Sequence, residues 1–132
     1  MKRTCVVVTA LIVVSSMAAA TQARLSLLPA KKGQIQNVWV EPTPPTATTP
    51  VYLCVSTADS LRVEKVVLRR LSHRFVLTVY WNDPPAGTTG DATLGQHKQL
   101  LGTMHAGMYG TLVQTFYKGM LVDMRTMLFQ VQ

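Results

Sequence analysis

The sequence predicts an all-β protein, folded as a single antiparallel β-sandwich of about seven strands. Short runs of β-branched, aromatic and aliphatic residues alternate with polar ones, and turn-forming residues separate the runs at intervals of about ten. No internal repeat or heptad pattern is present, and 132 residues are enough for one domain and not two. The spacing of the strands is also compatible with a barrel, and we expect the sandwich.

The best-defined element is a C-terminal hairpin. Two runs rich in β-branched and apolar residues, 109–117 and 120–131, flank the pair Lys118-Gly119. Because glycine takes positive φ without steric cost, a Lys-Gly pair can close a tight turn between two strands. We expect the earlier strands to pack against this hairpin.

Two short strands and a proline-rich connection come first. Residues 37–41 alternate in the manner of a half-buried strand. Four prolines between 42 and 50 exclude a helix or a central strand and favour an extended loop. Residues 51–56 are predicted as the second strand.

Residues 61–71 are ambiguous, because Asp59 or Ser60 could cap a helix there. The three valines of this segment favour a strand instead, and we predict a strand. It would form a hairpin with 74–81, whose two faces are both semi-apolar, as expected for a central strand.

Two loop regions are the candidate recognition elements. Residues 82–95 form the longest stretch of turn formers, and loops on a rigid scaffold often carry binding residues. Residues 96–101 are a short edge strand in our prediction, and 102–107 turn the chain into the final hairpin. The loop positions nominated for binding are Asp83, Pro84, Pro85, Thr88, Asp91 and His105. The alternative is that these loops are tolerated excursions without a role.

The N-terminal segment has the order of a secretory signal. A basic start at residues 1–3 precedes an apolar run at 6–14 and small residues that end in a cleavage site near Ala23. The apolar run is shorter than the roughly 20 residues of a membrane span. The expected organisation is a signal peptide over 1–23, an N-terminal arm over 24–36 and the sandwich domain over 37–132.

A cleaved signal makes the mature protein secreted or periplasmic, with no stable transmembrane segment. The alternative is a protein anchored in the membrane through an uncleaved signal. The formal net charge is +7, from 13 basic and 6 acidic residues, and removal of Lys2 and Arg3 leaves +5. This balance is not that of a nucleic-acid-binding protein, and export argues against a genomic role. It suits attraction to anionic wall polymers or headgroups, or ordinary surface solubility.

Cysteine usage predicts a domain without a disulfide. Cys5 lies in the predicted signal, so Cys54 would be the lone cysteine of the mature chain. It lies within the apolar run 51–55, which predicts a buried small hydrophobic residue. A reactive thiol or an intermolecular bridge is the alternative.

The segment Ala106-Gly107-Met108-Tyr109, followed by an alternating strand, resembles the tyrosine corner of immunoglobulin-like sandwiches. The pattern through 107–131 is also similar to the last two strands of secreted bacterial immunoglobulin-like and fibronectin-like domains. The resemblance implies that the Tyr109 hydroxyl bonds to upstream backbone and that Trp81 lies in the core beneath it. The two-cysteine bridge of true immunoglobulin domains is absent. Since such folds host many functions, the resemblance implies a fold and not an activity.

The sequence contains no recognised catalytic or metal-binding motif. His97 and His105 lack a neighbouring cysteine or acid that would complete a metal motif. No serine has the Gly-x-Ser-x-Gly setting, the acids are few and scattered, and the glycines lack phosphate-cradle spacing. We therefore predict no enzymatic activity, no cofactor and no metal.

The one basic cluster of the sequence consists of Arg62, Lys65, Arg69, Arg70 and Arg74. Arg69, Arg70 and Arg74, around the turn of the predicted hairpin, are a candidate anion-contacting patch. The alternative is that these cations protect an exposed strand edge from aggregation.

We expect an exported, non-enzymatic binding or structural module of the cell envelope or extracellular space. Its partner would be another protein or an envelope polymer, and not a nucleic acid. The alternative is a secreted inhibitor of a protease or other enzyme on an immunoglobulin-like scaffold. A small hydrolase that uses a histidine is the third hypothesis.

Overall fold

The computed structural model describes residues 31–88 and 93–132. Within these ranges the chain forms seven strands and no helix. The strands are β1 (Ile35–Glu41), β2 (Val51–Thr57), β3 (Arg62–Leu71), β4 (Arg74–Asn82), β5 (Gln96–Gly102), β6 (Gly107–Tyr117) and β7 (Met120–Val131). No helix of sufficient length and apolarity to cross a membrane occurs in this part of the chain.

The strands form two sheets around one hydrophobic core. The three-stranded sheet has the order β1-β2-β5, and the four-stranded sheet has the order β3-β4-β6-β7. Leu53 and Val55 from the first sheet and Leu77, Val79 and Val113 from the second are fully buried in the same core. The all-β prediction is confirmed, including a strand rather than a helix over the ambiguous segment, which is β3.

One strand pair differs from the predicted antiparallel pattern. β4 and β6 run parallel, with Arg74 opposite Gly110 and Trp81 opposite Tyr117, whereas the other pairs are antiparallel. Parallel neighbours need a crossover connection of about a dozen residues or more. The connection between β4 and β6 is long enough, and its described part contains β5, which belongs to the other sheet.

The predicted turn of the C-terminal hairpin is confirmed. Lys118 and Gly119 have φ values of 50° and 79°, and they connect Tyr117 to its cross-strand partner Met120. Positive φ at both central residues is the geometry of the tight turn that matches the twist of two paired strands.

The hydrogen bond implied for Tyr109 is present. Its hydroxyl donates to the His105 carbonyl oxygen at 2.7 Å, and its ring lies against Phe75 and Phe129, with centroid separations of 6.1 and 5.7 Å. The bond fixes the loop before β6 to the strand that follows it.

The expectation that Trp81 lies beneath Tyr109 is wrong. Trp81 is buried, but the parallel pairing of β4 with β6 places it level with Tyr117, at the far end of the strand from Tyr109. A Cβ atom built on Gly33 would lie 3.3 Å from the Trp81 ring, so glycine permits close approach there. Among the described residues, the Trp81 indole nitrogen has no hydrogen-bond partner.

The N-terminal predictions are only partly covered by the structure. The signal at 1–23 and most of the arm lie outside the described residues. The first strand begins at Ile35 rather than at residue 37, because Ile35 pairs with Thr57 of β2. Ile35 N–H also donates to Asp123 Oδ2 at 3.0 Å, and its carbonyl accepts from Arg125 at 2.9 Å. Residues Lys31–Gln132 form a compact unit.

Cys54 is buried, as predicted, with 2% of its surface exposed. Burial raises the pKa of its thiol to about 11. A thiol in this setting is mostly protonated at neutral pH, which disfavours reaction as a nucleophile.

Candidate binding surface

One side of the four-stranded sheet faces away from the core, and we call this side the outer face. Burial alternates along β4 and β6, and the strand register extends the assignment to β3 and β7. The outer-face residues are Lys65, Val67, Arg69 and Leu71 on β3; Arg74, Val76, Thr78 and Tyr80 on β4; Gly110, Leu112, Gln114 and Phe116 on β6; and Leu121, Met124, Thr126 and Leu128 on β7.

Contacts across the strands support this assignment. The rings of Tyr80 and Phe116 stack with centroids 5.0 Å apart. Thr78 Oγ1 donates to Gln114 Oε1 at 3.2 Å, and Gln114 Nε2 contacts Met124 Sδ at 3.6 Å. Side chains from β4, β6 and β7 therefore form continuous rows across the outer face.

The outer face is unusually apolar for a surface. Leu128 is 74% exposed, and Met124, Leu71 and Leu121 are 53%, 50% and 45% exposed. Scattered apolar residues are normal on a protein surface, but a contiguous apolar patch marks a contact site. The outer face is therefore the strongest candidate for binding within the described residues.

A groove of about 590 Å³ crosses the outer face at the end where β4 and β6 begin. Gly110 forms part of its floor, and a Cβ atom built there would lie 3.5 Å from Leu128 Cδ2 and 3.9 Å from Arg74 Cγ. The lining residues include Leu71, Val76 and the two side chains just named. The absence of a side chain at Gly110 leaves this space open.

Two arginines beside the groove are unpaired. Among the described arginines, Arg62 and Arg125 donate to backbone carbonyls, and Arg70 lies 5.8 Å from the centre of the Phe75 ring. The guanidinium groups of Arg69 and Arg74 make no hydrogen bond or ion pair within 31–88 and 93–132. None of the sixteen outer-face residues is acidic, so these two cations can receive an external anion.

The other sheet presents a different surface. Lys98 Nζ lies 2.7 Å from Glu41 Oε2 and 4.5 Å from the centre of the Tyr52 ring, and Trp39 Nε1 donates to Glu41 Oε1 at 3.1 Å. The hydrogen bonds from Lys98 and Trp39 lower the pKa of the Glu41 carboxyl. The charges of this surface therefore satisfy one another, unlike those of Arg69 and Arg74.

Asp83, nominated for a binding loop, lies at the centre of a local network. The Tyr117 hydroxyl lies 2.8 Å from both of its carboxylate oxygens, and Lys118 and Lys32 approach to 3.3 and 3.4 Å. The bond from Tyr117, followed by those from the two lysines, lowers the pKa of Asp83. In return, the bond to Asp83 raises the pKa of both lysines. Asp83 thus ties the end of β4 to the β6–β7 turn.

Of the remaining loop nominations, the structure brings Pro85 and Thr88 together and places His105 away from them. Thr88 N–H donates to the Pro85 carbonyl at 3.1 Å, which closes a turn in the loop after Pro84. Asp91 lies outside the described residues. His105 is exposed in the loop before β6, which lies at the end of the four-stranded sheet opposite Asp83.

The candidate anion patch is divided by strand alternation. Arg69 pairs with Val76 and Arg74 pairs with Leu71, and both arginines belong to the outer face. Arg70 pairs with Phe75, whose side chain points into the core, and Arg70 lies over that ring. The patch predicted as three residues therefore reduces to Arg69 and Arg74 on the outer face.

The described histidines belong to no metal-binding cluster. His97 Nε2 lies 3.0 Å from Gln99 Oε1, and the His73 ring meets the Tyr109 ring edge-on at 5.0 Å. Residues 31–88 and 93–132 contain no group of three or more His, Cys, Asp or Glu side chains that could hold a metal ion.

Comparison with known proteins gives no match: no family model matches the chain, and no curated protein or solved structure is significantly similar to it.

Proposed function

We propose that this chain is an exported, non-enzymatic binding module, and that it contacts a component of the cell envelope or extracellular space through the outer face. The observation that carries the proposal is the combination of exposed apolar side chains with the unpaired guanidinium groups of Arg69 and Arg74. Export is supported by the basic, apolar and small-residue order of residues 1–23.

We propose further that the fold belongs to the immunoglobulin-like class of sandwiches. The Tyr109–His105 hydrogen bond and the pattern of residues 107–131 support this assignment. The parallel pairing of β4 with β6 is a departure from an all-antiparallel sandwich.

The inhibitor hypothesis is less well supported. An inhibitor that plugs a cleft should present its loops together at one end of the molecule. The loop that follows β4 at Asp83 and the loop of His105 lie at opposite ends of the four-stranded sheet. A contact through the outer face is consistent with this separation, whereas a single wedge made of both loops is not.

A matched pair of charge substitutions tests the proposal. Leu128→Glu places a carboxylate on the outer face, and Leu100→Glu places one on the three-stranded sheet, at a leucine that is 47% exposed. Both variants should fold, because both side chains are on the surface. In envelope fractions from producing cells, we expect Leu128→Glu to reduce the amount of protein retained and Leu100→Glu to leave it unchanged. Equal retention of both variants and the wild type would contradict the proposal.

A further inference from the structure

We propose that the groove over Gly110 binds a long-chain carboxylate, with its aliphatic chain across the strands and its carboxylate between Arg74 and Arg69. This inference rests on the proposed function, because it names the chemistry that one part of the outer face accepts. Three features support it: the shape of the groove, the two arginines beside it, and the pairing of the backbone N–H and C=O groups in the strands beneath it.

The shape suits an aliphatic chain. The lining comes from all four strands, from Leu71 on β3 to Leu128 on β7. Strands lie about 4.8 Å apart, so this path is roughly 15 Å long. A groove of about 590 Å³ is within the usual size of small-molecule sites, which are mostly apolar with a few polar groups. Because the groove is open to solvent on one side, we expect weak and reversible binding.

The charge favours a single anion at the β3–β4 side of the groove. Arg69 and Arg74 occupy diagonal positions on these paired strands, and diagonal side chains start about 7–8 Å apart. Long guanidinium side chains at this separation can converge on one carboxylate, to which arginine donates paired hydrogen bonds. Neither guanidinium has a competing partner among the described residues.

The backbone argues against an extended peptide in the same groove. β4 and β6 are interior strands, so their N–H and C=O groups pair with the strands on either side. A peptide lying across them would bury its own amides without backbone partners, at a cost of about 1–3 kcal/mol for each unsatisfied group. An aliphatic chain carries no such groups.

The concave shape argues against a bilayer as the occupant. Gly110 has no side chain and lines the groove, where an added Cβ atom would lie 3.5 Å from Leu128 Cδ2. A flat or protruding apolar surface would enter a membrane interface, whereas a depression accepts a ligand that enters it.

Dodecanoate, below its micelle concentration, is the probe. We would titrate it into the ¹⁵N-labelled protein, in the form that producing cells release, and follow the NMR chemical shifts of the backbone amides. The expected result is saturable shifts at residues 74–76, 110–112 and 126–128. Dodecanol is expected to bind about tenfold or more weakly, because it lacks the charge that the arginines bind.

Two variants and one control locate the site. Gly110→Leu fills the floor of the groove, and we expect it to abolish the shifts while the protein stays folded. Arg69→Gln with Arg74→Gln should weaken dodecanoate about tenfold and leave dodecanol unchanged. Lys31→Gln removes another exposed cation without a partner in the described part of the chain, and it should change neither affinity.

Several outcomes would overturn the inference. In the titration, these are the absence of a saturable shift, shifts at other residues, or equal affinity for dodecanol and dodecanoate. Dodecanoate binding by the Gly110→Leu variant would also contradict it. So would a protein that binds phosphatidylglycerol vesicles or an acidic leucine-rich peptide but not dodecanoate. If dodecanoate fails but Leu128→Glu still reduces envelope retention, the ligand class is wrong and the proposed function stands. If both fail, the outer face is not the binding surface.

Discussion

The hydroxyl of Tyr109 and the carbonyl oxygen of His105 are 2.7 Å apart, and this hydrogen bond closes the loop that leads into β6. Gly107, the first residue of β6, lies between them in the sequence, and its φ of 153° is a conformation that favours glycine. The ring then packs on Phe75 and Phe129, so one side chain connects the loop, the core and two strands.

Tyr109→Phe should lower the free energy of unfolding by about 1 kcal/mol, because it removes one hydrogen bond and keeps the buried ring. Tyr52→Phe is the matched control, since the Tyr52 hydroxyl makes no hydrogen bond within the described part of the chain. Urea unfolding of both variants measures the difference. Equal stabilities would show that the Tyr109 bond contributes nothing.

Gly119→Ala and Gly110→Ala should have opposite effects on stability. Gly119 has a φ of 79° and no atom near a new Cβ, so alanine costs about 1 kcal/mol of backbone strain alone. Gly110 lies in a strand without positive φ, and alanine there should stabilise the protein by about 0.5 kcal/mol. Thermal unfolding of both variants checks the prediction. A stabilised Gly119→Ala protein would contradict the turn geometry.

The Asp83 network should make stability fall in acid. The pKa of Asp83 is lowered in the folded protein, chiefly by the Tyr117 hydroxyl, so the unfolded chain takes up the proton first. The stabilisation is therefore present above the ordinary pKa of about 3.9 and is lost as the pH falls through the folded value. Asp83→Asn should have a lower free energy of unfolding than the wild type at pH 7. This gap between the two free energies should narrow below about pH 4.

Urea unfolding at several pH values measures this gap. Tyr117→Phe should give a smaller gap than Asp83→Asn, because the lysine partners of Asp83 are retained. Glu64→Gln is a control at an exposed acid without an ion pair in the described residues. A gap that stays constant from pH 7 to strongly acidic solution would show that Asp83 does not stabilise the fold in this way.

Thiol counting tests the predicted cleavage of the signal. Cys5 lies in the segment expected to be removed, so the exported protein should titrate one thiol per chain after unfolding. In the folded protein, Cys54 should react slowly near pH 8, because it is buried and its pKa is raised to about 11. Two thiols per exported chain would mean that the segment is retained.

Most of the strand pattern could be predicted from the sequence, because local alternation and turn residues determine it. The alternating run from Phe75 to Trp81 and the Lys118-Gly119 pair are signals of this kind. The parallel neighbours β4 and β6 could not be predicted, since strand order depends on packing between distant segments. The position of Trp81 relative to Tyr109 depends on this strand order, so the sequence alone does not place the two residues correctly.

The candidate surface was harder to predict than the fold. Both faces of β4 are semi-apolar in the sequence, which predicts a central strand and does not by itself predict an apolar outer face. The groove, however, is lined by residues of all four strands, which lie far apart in the sequence. No local sequence pattern indicates that Arg74, Gly110 and Leu128 come together. The division of the basic patch follows from alternation and could have been predicted, because Arg69 and Arg70 are adjacent on one strand.

Photo-cross-linking in producing cells tests the central claim, that the outer face is the contact surface, most directly. A photoreactive amino acid would replace Met124 on the outer face or Leu100 on the other sheet, two side chains that are 53% and 47% exposed. We predict adducts from position 124, detected by mass spectrometry of the purified protein, and few from position 100. Adducts of equal yield from both positions, or from position 100 alone, would contradict the account.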